Sequence, residues 1–350
     1  MTTLHQLAVL TTLALCAAGV CWAQAPAVPA KRPRIAYIGH SPDSERWWDP
    51  VKNGLADARA DFDIDVDFLN PADGSVEEMA RIVAGLSLDK YDGVASTIPD
   101  FRKLERPLKS LVKDKKLLLI TANTGTHAQS EEVDAMLHVG QPEQLAGRLA
   151  GEQARKAGVM SFVCINRYTA NAATRERCDG FAGGLGLQGA GPQLEVKGSE
   201  AEMEAEIFRF VEANPQVGAL LTMGPSEAHP TIAALRRLKP NAKKPYFVAF
   251  DLSKQITAAI VAGTVDFAID QQPYLQGYLP AALLARRIRH PGESLLMTKM
   301  MVFAEPKLHL RVAKYGVAMK PGEGRHLNSG PGFVSRINVD KVQLYGGQYR

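Results

Sequence analysis

The 350-residue chain lacks several features, and each absence removes a class of function. No His-Glu-x-x-His, Cys-x-x-Cys or Gly-x-Ser-x-Gly occurs, and the eight histidines are scattered, so a metal cluster or a hydrolase triad has no support. There is no long basic run. The 41 Lys and Arg are interspersed with 37 Asp and Glu, for a formal charge of +4, which argues against the concentrated basic face of a nucleic-acid binder. Residues 1–23 contain no Lys, Arg, Asp or Glu at all.

That uncharged start holds an apolar run, Leu7–Val20, followed by "CWAQA". It reads as a secretory signal peptide, residues 1–23, cleaved after Ala23. The competing reading is an uncleaved anchor helix, for which the run is short. A lipid anchor is disfavoured because Leu15 precedes Cys16 and Val20 precedes Cys21, where a small residue is wanted. Residues 24–33, rich in Ala and Pro, read as a flexible leader. Export makes the scarce cysteines informative: Cys16 and Cys21 leave with the signal, and Cys164 and Cys178 remain as an even pair in an oxidising compartment. A disulfide between them is expected; two buried free thiols are the alternative.

What is present is ordinary globular composition, 46% hydrophobic and 22% charged, with length enough for two domains. From Arg34 onward strands and helices alternate. "RIAYIG" is a buried strand, and Val51, Leu55, Ala58 and Phe62 then fall on one helix face, with Asp49 placed to cap it and Pro50 at the first helical position. "DIDVDFL", "YDGVAST" and "KLLLIT" follow as strands, with Ser75 and Glu78 in a capping-box pattern before the second helix. A second set, after Val139, runs through "VMSFVCIN", "QLEVK", "VGALLT", "YFVAF" and "TVDFAI", each followed by a helix. Short links between alternating elements imply an α/β fold of two doubly wound parallel-sheet domains.

Two motif matches fail on context. "GLGLQG" follows a helix and precedes a strand, the reverse of a dinucleotide loop. "DFDIDVDF" spaces carboxylates like a calcium loop, yet has Val66 where Gly is needed and Ala72 where Glu is needed.

In doubly wound sheets, ligands bind at the carboxyl ends of strands. That rule selects Trp47, Trp48, Asp100, Asn123, Asn166, the segment after Thr222, Asp251 and Asp270–Gln272. Trp47 and Trp48 offer aromatic platforms for the C–H face of a sugar ring; otherwise one is core and the other covers a domain edge. Arg175, in the first turns of a helix, presents a guanidinium fork suited to vicinal hydroxyls or a carboxylate, or to a structural ion pair; Arg177 reads as a surface charge. Asp100 and Asp251 can accept strong hydrogen bonds from hydroxyls or cap the helices that follow them. In "FAIDQQPYLQGYLP" a core strand ends on a carboxylate and two amides, which need partners if buried.

The segments "NAATRERCDGF", "VAFDLS", "FAIDQQPYLQGYLP" and "GPGFV", in that order, resemble the periplasmic sugar-binding proteins of ABC transporters, the ribose-binding type. The resemblance covers about Arg34 to Tyr349. It implies two lobes joined by three crossover segments and closing on a monosaccharide. In this chain the implied N-terminal lobe is 34–138 with about 273–295, and the C-terminal lobe 139–272 with about 296–350. It implies ligand contact for Trp47, Trp48, Asp100, Arg175, Asp251 and the hinge glutamine Gln271, with Gln272 structural. Two departures stand out. "MGPSE" supplies no side-chain amide where the ribose type has an Asn-Asp pair, and the stretch 291–328 is longer than the pattern.

The expected function is capture of a small neutral sugar or polyol in the periplasm and delivery to an ABC transporter permease. The protein is expected to act as a monomer, without cofactor, metal or catalysis. Alternatives are a receptor feeding a chemoreceptor or sensor kinase, and a secreted sugar-modifying enzyme. A repressor core of the same fold lacks its helix-turn-helix.

Overall fold

The computed structural model describes residues 32–169, 171–319, 322 and 324–350. The expected signal peptide, and the leader up to residue 31, lie outside the described residues. No described helix is long and apolar enough to cross a membrane.

The strands are β1 (Arg34–Ile38), β2 (Asp65–Leu69), β3 (Gly93–Ser96), β4 (Leu118–Ala122), β5 (His138–Gly140), β6 (Phe162–Asn166), β7 (Gln193–Glu195), β8 (Ala219–Thr222), β9 (Tyr246–Phe250), β10 (Phe267–Asp270), β11 (His326–Asn328) and β12 (Gly332–Ser335). They form two six-stranded sheets, ordered β11-β5-β4-β3-β1-β2 and β12-β10-β9-β8-β6-β7. All pairings are parallel except β10 with β12. This is the expected doubly wound architecture, twice.

Period-two alternation supplies each sheet with two cores. Ile35 and Tyr37 face one cluster of the first sheet, and Ala36 and Ile38 the other. Val163 and Ile165 face one cluster of the second sheet, and Phe162 and Cys164 the other. Strands buried on both faces read as continuous apolar runs, which is why these were legible.

Local signals acted largely as expected, with two adjustments. Ser75 accepts from the Glu78 backbone N–H, but Glu78 reaches back to Asp73 N rather than to Ser75. Asp49 does not cap its helix. It is the first residue of Asp49–Phe62 and pairs with Arg46, while a short 3-10 turn, Arg46–Trp48, precedes it.

The chain passes between the sheets three times: after β5, after β10 and after β11. This corrects the expected assignment of the C-terminal part. The helices Leu295–Phe303 and Pro306–Tyr315 put Val302, Leu308 and Tyr315 into the first-sheet core, and β11 extends the first sheet beside β5. Only β12 and the residues just after it join the second sheet's core. Residues 296–328 therefore belong with the first lobe, and the first sheet extends to Gly140 rather than ending at 138.

Cys164 on β6 and Cys178 on the helix Ala172–Leu185 form a disulfide with Cα atoms 6.1 Å apart and a sequence separation of 14. Closing a loop of about 15 residues contributes about 3 kcal/mol in the chain-entropy model. The double substitution Cys164→Ala/Cys178→Ala is expected to lower stability by about that much and the melting temperature by roughly 6–12 °C, read by circular dichroism. An unchanged melting curve would show that the bridge contributes nothing.

Candidate functional site

The carboxyl ends of β1, β3 and β4 in one lobe face those of β8, β9 and β10 in the other across a cleft of ≈ 1050 Å³. Loops dominate its walls because each strand must turn there into a helix, leaving side chains free to point into the space.

From the first lobe come Trp47, Trp48, Asp100 and Asn123. Glu45 accepts from Trp47 N and sets the 3-10 turn. That turn sends the two indoles apart, with ring planes at 85°. Trp48 is only 2% exposed and packs edge-on against Tyr37 and His40 in the core, whereas Trp47 is half-buried and presents its surface to the cleft. The expected aromatic pair thus divides into a platform and its support. Asp100 caps the helix Phe101–Lys113 through Arg102 N at 3.1 Å and still lines the cleft.

Asn123, Asp251 and Gln272 follow β4, β9 and β10 and all have positive φ, of 61°, 69° and 54°. Left-handed backbone at non-glycine residues is uncommon and costly, and it re-aims side chains at strand ends. Asn123 Nδ2 donates to Gln276 Oε1 at 2.9 Å and lies 3.5 Å from Gln271 Oε1. Gln271 Nε2 donates to Asp251 Oδ1 at 2.7 Å, and its Oε1 accepts from Gln276. The amides ending β10 are therefore satisfied by both lobes at once. Gln272 faces the other way and binds Ala318 and Ser329 backbone, a structural role.

From the second lobe, Asp251 is 4% exposed, and Ser253 rather than Asp251 caps the helix Lys254–Ala262. Burial pushes the Asp251 carboxyl up to about 7, opposed by the nearby Arg177 cation. Arg177 is the larger surprise. It is buried, not a surface charge: Nε and Nη2 each donate to Glu143 at 2.7 Å, Nη1 donates to Met223 O at 2.6 Å, and the guanidinium lies over the Phe250 ring. Burial works against the charge, but Glu143, with Asp251 and Glu227 behind it, holds the guanidinium well above its ordinary range. Arg175 is exposed at the cleft wall, with Nη1 3.5 Å from Thr169 O.

The structure does not bring Asn166 to the cleft. Its Nδ2 donates to Thr174 and Gln193 and its Oδ1 accepts from Tyr168 N, so the side chain is spent inside its own lobe. Two buried acids at or behind the cleft wall carry no signal in the sequence. Glu143, which engages Arg177, lies at a crossing with no motif. Glu227 belongs to "MGPSE", which supplies a buried carboxylate where it lacks an amide. It is 1% exposed, accepts from Arg167 N and Ser226 Oγ, and burial raises its pKa.

Two doubly wound lobes, crossed three times by the chain and holding buried polar groups at their facing strand ends, define a hinged ligand-capture protein. A family model for the periplasmic binding protein domain matches residues 35–293, and the chain belongs to that family, the type I sugar-binding proteins of ABC transporters. A carbohydrate transporter protein from Acidothermus cellulolyticus 11B, solved with myo-inositol, is similar at 25% identity and a TM-score of 0.75, over 91% of this chain and 100% of that one. A glucose-galactose binding protein, GanP, from Geobacillus stearothermophilus shares the fold at 16% identity and TM-score 0.66, over 88% and 99% of the two chains. A solute-binding protein from Burkholderia graminis C4D1M, solved with D-arabinose, does so at 16% and 0.67, over 88% and 97%. No curated protein sequence matches the chain.

Proposed function

We propose that the protein captures a small sugar or polyol between its lobes outside the cytoplasm and hands it to an ABC transporter permease. The observation that carries this reading is convergence: Asn123 and Asp100 from one lobe, Asp251 and Arg175 from the other, and Gln271 from a crossing all line one cleft, with Trp47 as an apolar platform. A polyhydroxy ring needs that mixture, an aromatic surface for its C–H face and charged or amide groups around its rim. The Acidothermus structure with myo-inositol supports the choice of ligand class.

The mechanism is closure about the three crossings. A ligand that touches both lobes binds the closed form more tightly and shifts the population toward it. A permease can then distinguish loaded from empty protein by shape. No bond is made or broken.

A thermal-shift screen against pentoses, hexoses, deoxysugars, inositols and acyclic polyols tests the reading. Ligand at 100 times its dissociation constant stabilises by about 2.7 kcal/mol, a shift of several degrees. At least one class is expected to produce it, with matching heat in calorimetry. Silence across all five classes would overturn the assignment.

A further inference from the structure

The floor of the cleft holds two acids side by side, and burial disfavours the charged form of each, so a cation set between them is what would favour their ionisation. Asp251, just after β9, is 4% exposed, and Glu227, in the first turn of the helix Pro225–Arg236 that follows the neighbouring strand β8, is 1% exposed. A Cβ built on Gly224 would lie 3.6 Å from Glu227 Oε2 and 3.9 Å from Asp251 Oδ2, so the two carboxylates flank the backbone at that glycine. Gly224 has φ −176°, an extended conformation open to any residue, so its backbone does not demand glycine. The missing side chain leaves room between two buried acids.

Neither acid forms a salt bridge among the described residues. The cation that acts on both, Arg177, already donates two hydrogen bonds to Glu143. Arg175, further up the wall, is exposed and screened by solvent. Asp251 Oδ1 is occupied by Gln271, whereas Oδ2 takes no hydrogen bond from the described residues and stands at the cleft floor beside Gly224. That oxygen is open to the cleft and can accept from a bound donor, and two acids beside one engaged cation favour a positively charged donor.

Resting on the sugar-capture reading, we infer that the site is built for an amine-bearing sugar or cyclitol, whose ammonium group sits over Gly224 between Asp251 and Glu227. The ring hydroxyls then meet Asn123, Gln271 and Asp100, and Trp47 covers a ring face. The same pair of acids disfavours an anionic group such as a sugar phosphate at that position.

The test is calorimetry on the purified protein at pH 7 with matched pairs: glucose and glucosamine, galactose and galactosamine, inositol and an inosamine. At least one amine is expected to bind tenfold or more tightly than its neutral partner, and Glu227→Gln is expected to remove most of that preference. Gly224→Ala, whose methyl fits the protein but fills the ammonium's place, is expected to weaken the amine at least tenfold. Neutral sugars binding as well as or better than amines would overturn the inference and leave sugar capture standing. An amine preference untouched by Glu227→Gln would overturn the placement of the ammonium between the two acids. Binding by no member of any pair would overturn the inference, and sugar capture would fall with it only on silence across all five classes of the thermal-shift screen.

Discussion

Replacing Asp251 by alanine is expected to weaken ligand binding by about 100-fold or more, while the unliganded protein keeps its melting temperature within a few degrees. Charge-assisted hydrogen bonds contribute roughly 1.5–3 kcal/mol each, and a bound ring can take more than one from this carboxylate. Each 1.4 kcal/mol is a factor of ten. Stability should hardly fall, because burial already disfavours the Asp251 charge and Arg177 retains Glu143 as its partner. The cost left is the Gln271 amide, which loses one acceptor.

The sign of the pH effect follows. Asp251 has its folded pKa raised to about 7 from an ordinary carboxylate value, so its protonated form is the one that favours folding. That contribution is complete below about pH 4 and fades as pH rises through about 7. Asp251→Asn mimics the protonated form and should gain stability relative to wild type across that window. Parallel melting of the two proteins from pH 4 to pH 8 checks it. A gap that stays constant would mean the carboxyl titrates normally.

Arg177→Ala is expected to cost about 3–5 kcal/mol of stability, because it leaves Glu143 buried without its cation. For a lobe of this size the melting temperature should drop by roughly 10 °C or more. Arg175→Ala, two residues earlier but exposed, should change stability by no more than about 0.5 kcal/mol. The double variant Arg177→Met/Glu143→Gln should recover much of the loss, since it removes both buried charges. Urea denaturation of the four proteins separates the cases. Equal losses at 175 and 177 would contradict the burial of Arg177.

The two arginines also show where sequence reading stopped. Residues two apart on a helix point about 200° from each other, so the motif alone shows that one arginine faces inward, not which. The rotation is set by contact with the helix Glu143–Lys156, which approaches so closely that a Cβ on Gly147 would lie 2.1 Å from Arg177 O. No local pattern encodes that approach. Asn166 failed for a related reason. It ends a strand as the rule requires, but three neighbours within its own lobe take its hydrogen bonds. The stretch 296–328 joins the first lobe against expectation, because "LLMTKMMVF" carries apolar residues on nearly every side and periodicity cannot say which lobe it covers.

The order of elements, the doubly wound sheets and the strand ends that could carry a site were determined by the sequence alone. Apolar runs buried on two faces, capping residues and turn residues are local signals, set by steric and hydrogen-bonding rules that act over a few residues. Which of those strand ends share a cleft, which arginine is buried, and that Glu227 stands opposite Asp251 were decided only by the tertiary structure. Those outcomes depend on two sheets meeting across three crossings, and the energy of a buried charge depends on neighbours that may be a hundred residues away in the chain.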